Sequence, residues 1–139
     1  MNELQLKLCD IQGRLFELSA DNNFGSANFV KTFMTSEVVK ALDATYNRMQ
    51  WAGEEYLLEE LVSVAGDKFI ESGEIYSKDI LYWMGYLYRY WHYYTNESST
   101  KIYKQAPVRT MKRNYLMFHT MAPQVAIEDL KEISSQKTK

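Results

Sequence analysis

Apolar side chains recur at steps of three and four residues along most of the chain, which is the spacing of an amphipathic α-helix. The first such stripe predicts a helix of about five turns, and its members are Leu4, Leu8, Ile11, Leu15 and Leu18. No long alternation of β-branched residues occurs, and the chain has only 2 prolines and 6 glycines for hairpin turns. The pattern therefore predicts an all-α protein.

Small polar residues between these stripes predict where helices begin. A serine or threonine side chain accepts a hydrogen bond from the free N–H groups of a first helical turn. The predicted caps are Ser26, Thr35 or Ser36, Ser77, and Ser98 or Ser99. Pro107 and Pro123 suit the first turns of the last two helices. Residues 67–76 are the least regular stretch and are predicted to form a loop.

The chain contains neither an internal repeat nor a low-complexity linker. We therefore expect one compact, single-domain helical bundle of about six to eight helices over residues 1–133. Residues 134–139 are predicted to be a disordered tail, because they carry no apolar anchor.

Two helices in the middle of the chain are predicted to point tyrosines into the core. The helix after Ser36 would turn inward Val38, Val39, Leu42 and Tyr46. The helix from Trp51 to Ala65 would turn inward Tyr56, Leu57, Leu61 and Val64.

The strongest helical pattern lies near residues 78–95 and is rich in aromatic residues. Residues 76–94 hold seven tyrosines and two tryptophans. Such a helix is apolar nearly all round, so it is either central to the bundle or covered by a partner. Because tyrosine, tryptophan and arginine dominate binding hot spots, the predicted partner-binding residues are Tyr82, Tyr86, Arg89 and Tyr93.

Composition excludes several classes of protein. The chain has 139 residues, a single cysteine and 2 histidines, so an internal disulfide is impossible and a structural zinc site is not expected. The lone Cys9 fits a reducing, cytoplasmic location. No apolar run approaches the ~20 residues that a membrane-spanning helix needs. The sequence predicts neither a cofactor nor a metal.

Charge is unevenly distributed along the chain. The formal net charge is −2, yet residues 37–79 carry ten acidic and four basic residues. Residues 101–113 carry no acidic residue and five basic ones, which are Lys101, Lys104, Arg109, Lys112 and Arg113. This basic segment is either a solvated helix face or a phosphate-binding site of a nucleic-acid-binding regulator.

One pair of residues permits a catalytic alternative. The string RNYLMFH places Arg113, Asn114 and His119 in a spacing that resembles the motif of the helical HEPN ribonuclease toxins. In such a site the histidine would act as a general acid or base, and the arginine would stabilise the charged transition state. The resemblance implies a metal-independent ribonuclease that is shared across a homodimer.

Two longer stretches are similar to small bacterial proteins. Residues 36–62 resemble very short helical proteins of Firmicutes that contain a GEEY corner, which Glu55 and Tyr56 match, although Trp51-Ala52 replaces the usual pair before it. Residues 80–133 resemble a related group of small proteins from similar bacteria. Those proteins are typically encoded beside ADP-ribosyltransferase-like toxins, so the resemblance implies a toxin–antitoxin or phage-defence setting.

The favoured hypothesis from the sequence is a non-enzymatic protein-binding module, the antitoxin or neutralising partner of a toxin. Its partner is expected to be a protein, a homodimer is a further option, and no membrane is involved. The ribonuclease and the nucleic-acid-binding regulator are the two alternatives.

Overall fold

The computed structural model describes residues 1–69 and 73–137, and within these ranges every regular element is helical. The prediction of an all-α, single-domain bundle is confirmed. Two 3₁₀ turns, Arg48–Trp51 and Gly66–Phe69, accompany eight α-helices in the described residues. The α-helices are α1 (Glu3–Asp21), α2 (Ser26–Met34), α3 (Glu37–Asp43), α4 (Glu54–Ala65), α5 (Lys78–Thr95), α6 (Ser99–Gln105), α7 (Val108–Phe118) and α8 (Pro123–Lys137).

The two longest helices, α1 and α5, pack against each other along most of their lengths and run antiparallel. Gly85 allows this approach, because a Cβ at that position would lie 2.5 Å from the carbonyl oxygen of Gln12. Gly13 has a similar role on the opposing helix, where a Cβ would lie 2.7 Å from the ring of Tyr82. The partner of Gly85 is therefore the main chain of α1.

An aromatic cluster joins this pair to α2. The ring of Phe16 makes edge-on contacts with Phe29 and Phe33, both at 5.5 Å between centroids. Such edge-to-face pairs are favourable beyond the area that they bury. On the other side, the hydroxyl of Tyr88 donates to the carbonyl oxygen of Ala106 and ties α5 to the end of α6.

Most predicted helix starts are confirmed, with one instructive exception. Ser36, Ser77 and Ser98 each accept a hydrogen bond from the third residue of the helix that follows. Gly25, however, precedes α2, and the hydroxyl of Ser26 accepts from the N–H of Tyr76 instead. Ser26 thus ties α2 to the segment before α5.

The predicted inward direction of three side chains in the middle of the chain is wrong. Tyr46 is 89% exposed, because α3 ends at Asp43 and the chain turns extended at Ala44. Helix α4 begins at Glu54 rather than at Trp51, and its buried residues are Leu57, Leu58, Leu61 and Ala65. Tyr56 and Val64 consequently lie on its exposed side.

The end of the chain is more ordered than the sequence predicts. Helix α8 continues to Lys137, so residues 134–137 of the predicted tail are helical. The last two residues of that tail, 138–139, lie outside the described residues. The last turn is held by Gln136, which donates to Glu132, and by Lys137, which contacts the Thr110 hydroxyl. Of the predicted loop 67–76, residues 70–72 lie outside the described ranges. Across the described residues, none of the helices has the length and apolarity required to cross a lipid bilayer.

Candidate functional site

Helix α5 divides into a buried arc and an outward arc. The buried arc faces α1 and the core through Leu81, Met84, Gly85, Leu87, Tyr88, Arg89 and Trp91. The outward arc carries six aromatic rings, and we call this set the aromatic face: Tyr82, Trp83, Tyr86, Tyr90, Tyr93 and Tyr94. The two aromatic residues of the buried arc, Tyr88 and Trp91, are fully enclosed. Of the six rings on the aromatic face, Tyr94 is exposed and the other five are half-buried. Trp83, Tyr90 and Tyr93 also pack against the core.

Rings on the aromatic face contact one another along the helix. Tyr82 and Tyr86 lie 6.0 Å apart between centroids, and Tyr86 and Tyr90 lie 6.3 Å apart. Trp83 meets Tyr115 of α7 edge-on at 5.6 Å. A mainly apolar groove of about 370 Å³ runs between these residues and the end of α7. The rings are preorganised by each other, so little side-chain entropy would be lost on contact with a partner.

An acidic groove of about 780 Å³ continues from the aromatic face, and Tyr82 and Tyr115 line both. Its lining holds five carboxylates and two cations, a formal balance of −3. The cations are already paired, Arg14 with Asp10 and Lys78 with Asp21. The carboxylates with no ion pair among the described residues are Glu17, Glu54 and Asp79.

Three groups in this groove show the effect of limited solvent access. Burial raises the pKa of Glu17. One oxygen of Glu54 is enclosed and has no hydrogen-bond partner among the described residues. The hydroxyl of Tyr82 donates to Asp10 at 2.5 Å, and burial together with this bond raises the pKa of Tyr82 well above its ordinary value.

Arg89 is buried, whereas the predicted partner contact needs it on the surface. Its side chain is 0% exposed, so it cannot contribute to a surface. It donates to Asp43 Oδ1 at 2.7 Å, to Gln12 Oε1 at 2.9 Å and to the hydroxyl of Ser99 at 3.2 Å. The predicted set is therefore corrected: Tyr82 and Tyr86 lie on the aromatic face, and Arg89 joins α1, α3, α5 and α6 from inside.

Tyr93 lies at the junction between the aromatic face and a separate cleft. The guanidinium carbon of Arg89 is 5.8 Å from the centroid of the Tyr93 ring, so Tyr93 covers the buried network. The cleft beside it has a volume of about 590 Å³ and lies between the start of α1, the segment after α3 and the end of α5. Its lining includes Asp43, His92 and Tyr93.

Two aromatic residues at this cleft were missed by sequence reasoning, which assigned them to helices. Tyr46 and Trp51 line it and are 89% and 76% exposed. The segment that carries them is fixed from within: Gln50 Nε2 donates to the carbonyl of Ala44 at 2.6 Å, and Asn47 Oδ1 accepts from the Met49 N–H at 2.9 Å. The signal that could have revealed them is Asn47, which favours turns and helix caps.

The ribonuclease-type residues do not converge on one site. Six residues of helix correspond to about 600°, so Arg113 and His119 project about 120° apart around α7. His119 stacks on Tyr115 at 4.4 Å and lines the apolar groove, whose lining does not include Arg113. The side-chain amide of Asn114 donates to the carbonyl of Thr110. Within α7 this arrangement supplies no composite acid–base site, and the ribonuclease stays an untested alternative.

The five basic residues of segment 101–113 are dispersed as well. Lys112 pairs with Glu74 at 2.9 Å and lies over the ring of Tyr76, and Lys101 is 3.7 Å from Glu97. Arg109 shares a cleft with Lys112, whereas that cleft's lining does not include Lys101, Lys104 or Arg113. Phosphate binding by the whole set therefore stays a prediction.

The described residues contain no group of three or more histidine, cysteine, aspartate or glutamate side chains that could hold a metal ion. Comparison of the chain with known protein families, with curated proteins and with solved structures returned no match. Arguments about function therefore rest on the surface itself.

Proposed function

We propose that the protein is a binding module for another protein and that the aromatic face of α5 is its contact surface. The observation that carries this proposal is the composition of the outward arc of α5, whose solvent-accessible side chains are mostly half-buried tyrosine and tryptophan rings where an amphipathic helix normally has charged residues. Tyrosine and tryptophan offer a large contact area at low cost in conformational entropy.

The charge beside this face supports a basic partner. The acidic groove adjoins the aromatic face at Tyr82 and Tyr115, and three of its carboxylates have no ion pair among the described residues. Complementary charge speeds encounter and fixes orientation more than it adds affinity. A partner with lysine or arginine beside an apolar anchor would match both parts of the surface.

The setting that we propose is the one implied by the sequence resemblance of residues 36–62 and 80–133 to small proteins encoded beside ADP-ribosyltransferase-like toxins. Within such a locus, a surface of aromatic rings beside an acidic groove fits the neutralising partner of a toxin. We therefore propose that this chain is the antitoxin, and that it acts by contact rather than by chemistry.

The experiment is co-purification of the tagged chain from its native host, with the neighbouring toxin-like gene product as the identified prey. The double variant Tyr86→Ala with Tyr90→Ala should lose at least about tenfold in affinity, because truncation of hot-spot aromatics typically costs 2 kcal/mol or more. Tyr56→Ala removes a solvent-exposed tyrosine on α4, away from the aromatic face, and is the control.

Retained binding by the double variant with an unchanged circular dichroism spectrum would reject the aromatic face as the contact surface. A chain that binds no neighbouring gene product and does not relieve its toxicity on co-expression would reject the antitoxin proposal.

A further inference from the structure

The cleft between α1, α5 and the segment after α3 is separate in location and chemistry from the aromatic face. We propose that it binds an uncharged, flat heterocycle that carries an amino group, such as an aminopurine or aminopyrimidine. This inference stands on its own observations, and it does not depend on the identity of a protein partner.

The inner wall of the cleft presents hydrogen-bond acceptors. Asp43 Oδ1 accepts from Arg89 and from the Ser99 hydroxyl, whereas Oδ2 accepts only from the Ser99 N–H, at 2.7 Å. A carboxylate oxygen accepts two hydrogen bonds, so Oδ2 keeps a free acceptor position. Asp43 lines the cleft and its side chain is 13% exposed, so the carboxylate is in contact with the cleft.

His92 lines the same wall of the cleft. Its Nδ1 donates to the carbonyl oxygen of Glu97 at 2.6 Å, because a carbonyl only accepts, and it lies 3.7 Å from Asp43 Oδ1. Nε2 makes no hydrogen bond to any described residue, and in the neutral form of the ring it is a second acceptor. Two acceptors on one wall select a ligand with N–H donors, which an amino group on a ring supplies.

The rim of the cleft carries two exposed aromatic rings on which a flat ligand can stack. The segment that carries Tyr46 and Trp51 is held by the hydrogen bonds of Gln50 and Asn47, and both rings on it are exposed. Base–aromatic stacking is tolerant of the ring system and is worth about 1–3 kcal/mol for each ring. The cleft volume of about 590 Å³ lies in the range of small-molecule sites.

The charge of the lining selects a neutral ligand. Among the described residues of the lining, Asp43 is the only carboxylate, lysine and arginine are absent, and Arg89 beneath Asp43 compensates its charge at 2.7 Å. His92, whose Nδ1 lies 3.7 Å from Asp43 Oδ1, adds a cation only when it is protonated. With the neutral ring, a phosphate would find no cation in the lining, and a cationic ligand would find no net negative charge.

The test is a titration of the full chain with adenosine, cytidine, inosine and uridine, and with the 5′-monophosphates of the first two, followed by two-dimensional NMR. At least one of adenosine and cytidine should shift the side-chain amides of Asn47 and Asn96. Its oxo counterpart, inosine or uridine, should bind at least about tenfold more weakly, because the discrimination rests on the amino group. The monophosphates should bind no more tightly than the nucleosides.

Trp51→Ala and Tyr46→Ala should each weaken binding at least about tenfold without loss of folding, since both side chains are exposed. Tyr56→Ala, on the neighbouring α4, should leave the affinity unchanged. The proposal is overturned if neither adenosine nor cytidine binds, if the oxo nucleosides bind equally well, if the monophosphates bind more tightly, or if both rim variants retain full affinity.

Discussion

Gly85 of α5 lies directly against the main chain of Gln12 in α1. Both polar atoms of the Gln12 side chain make hydrogen bonds here. Nε2 donates to the Gly85 carbonyl at 2.9 Å, and Oε1 accepts from Arg89 at 2.9 Å. A Cβ on residue 85 would lie 2.5 Å from the Gln12 carbonyl oxygen and 2.9 Å from the ring of Phe16. A close approach of the two longest helices therefore coincides with one of the polar contacts between them.

Gly85→Ala should destabilise the protein although alanine is the better helix former. The helical preference for alanine is worth about 1 kcal/mol, whereas overpacking against backbone typically costs about 1–3 kcal/mol or more. We expect a net loss of about 1–2 kcal/mol in the free energy of unfolding in urea. Gly73→Ala, where a Cβ would meet nothing within 4 Å, is the control and should change this free energy by less than about 0.5 kcal/mol.

Asp43→Ala should be strongly destabilising, because it leaves the Arg89 guanidinium buried without its anion. Removal of one partner of a buried ion pair typically costs about 3–5 kcal/mol. The double variant with Arg89→Met should recover part of this loss, as measured by thermal or urea unfolding. Lys40→Ala breaks the exposed pair with Glu37 and should have an effect below about 1 kcal/mol. Equal effects of the two single variants would contradict this account.

Stability should fall in acid in a way that depends on Glu97. Burial opposes its charge, but hydrogen bonds from Lys131, Trp91 and Gln105 outweigh burial and lower the pKa of Glu97 to about 2. A group whose pKa is lower in the folded state stabilises the fold above its unfolded pKa of about 4.5, and this contribution is lost as the pH falls towards 2. Glu97→Gln should flatten the decline of unfolding free energy between about pH 5 and pH 2. An identical decline in Glu37→Gln and Glu97→Gln would contradict the assignment.

Cys9 should be inert towards thiol reagents while the chain is folded. Its side chain is fully buried, and burial raises the pKa of the thiol to about 12. Since the thiolate is the reactive form, labelling by a disulfide reagent at pH 8 should wait for unfolding and become rapid in denaturant. Fast labelling of the native protein would show that α1 opens locally at this point.

The bounds of α5 were predictable from sequence, whereas its orientation was not. Ser77 caps it and Asn96 ends it in a left-handed conformation, as the polar residues around it indicated. The aromatic residues of α5 occur on nearly every side of the helix, so periodicity alone could not identify the arc that faces water. The burial of Arg89 depended on Gln12, Asp43 and Ser99, which are distant in sequence and whose convergence no local pattern reveals.

The exposed rim of the cleft was missed for a different reason. Tyr46 continues the apolar spacing of α3, so a helical pattern assigned it to the core, but the helix ends three residues earlier. Asn47 and Gln50 then fold the segment into a short 3₁₀ turn through hydrogen bonds to nearby main-chain atoms. Local hydrogen bonds between side chains and the backbone overrode hydrophobic periodicity at this point.

The antiparallel pairing of α1 with α5 also bears on how the chain is made. The hydrogen bond from Gln12 to Gly85 spans 73 positions, so a long loop must close before the two helices meet. During synthesis the first helix leaves the ribosome well before its mate exists, and its apolar side stays uncovered for that interval. Nascent chains in this state are the ones that chaperones bind and that aggregate when synthesis outpaces folding.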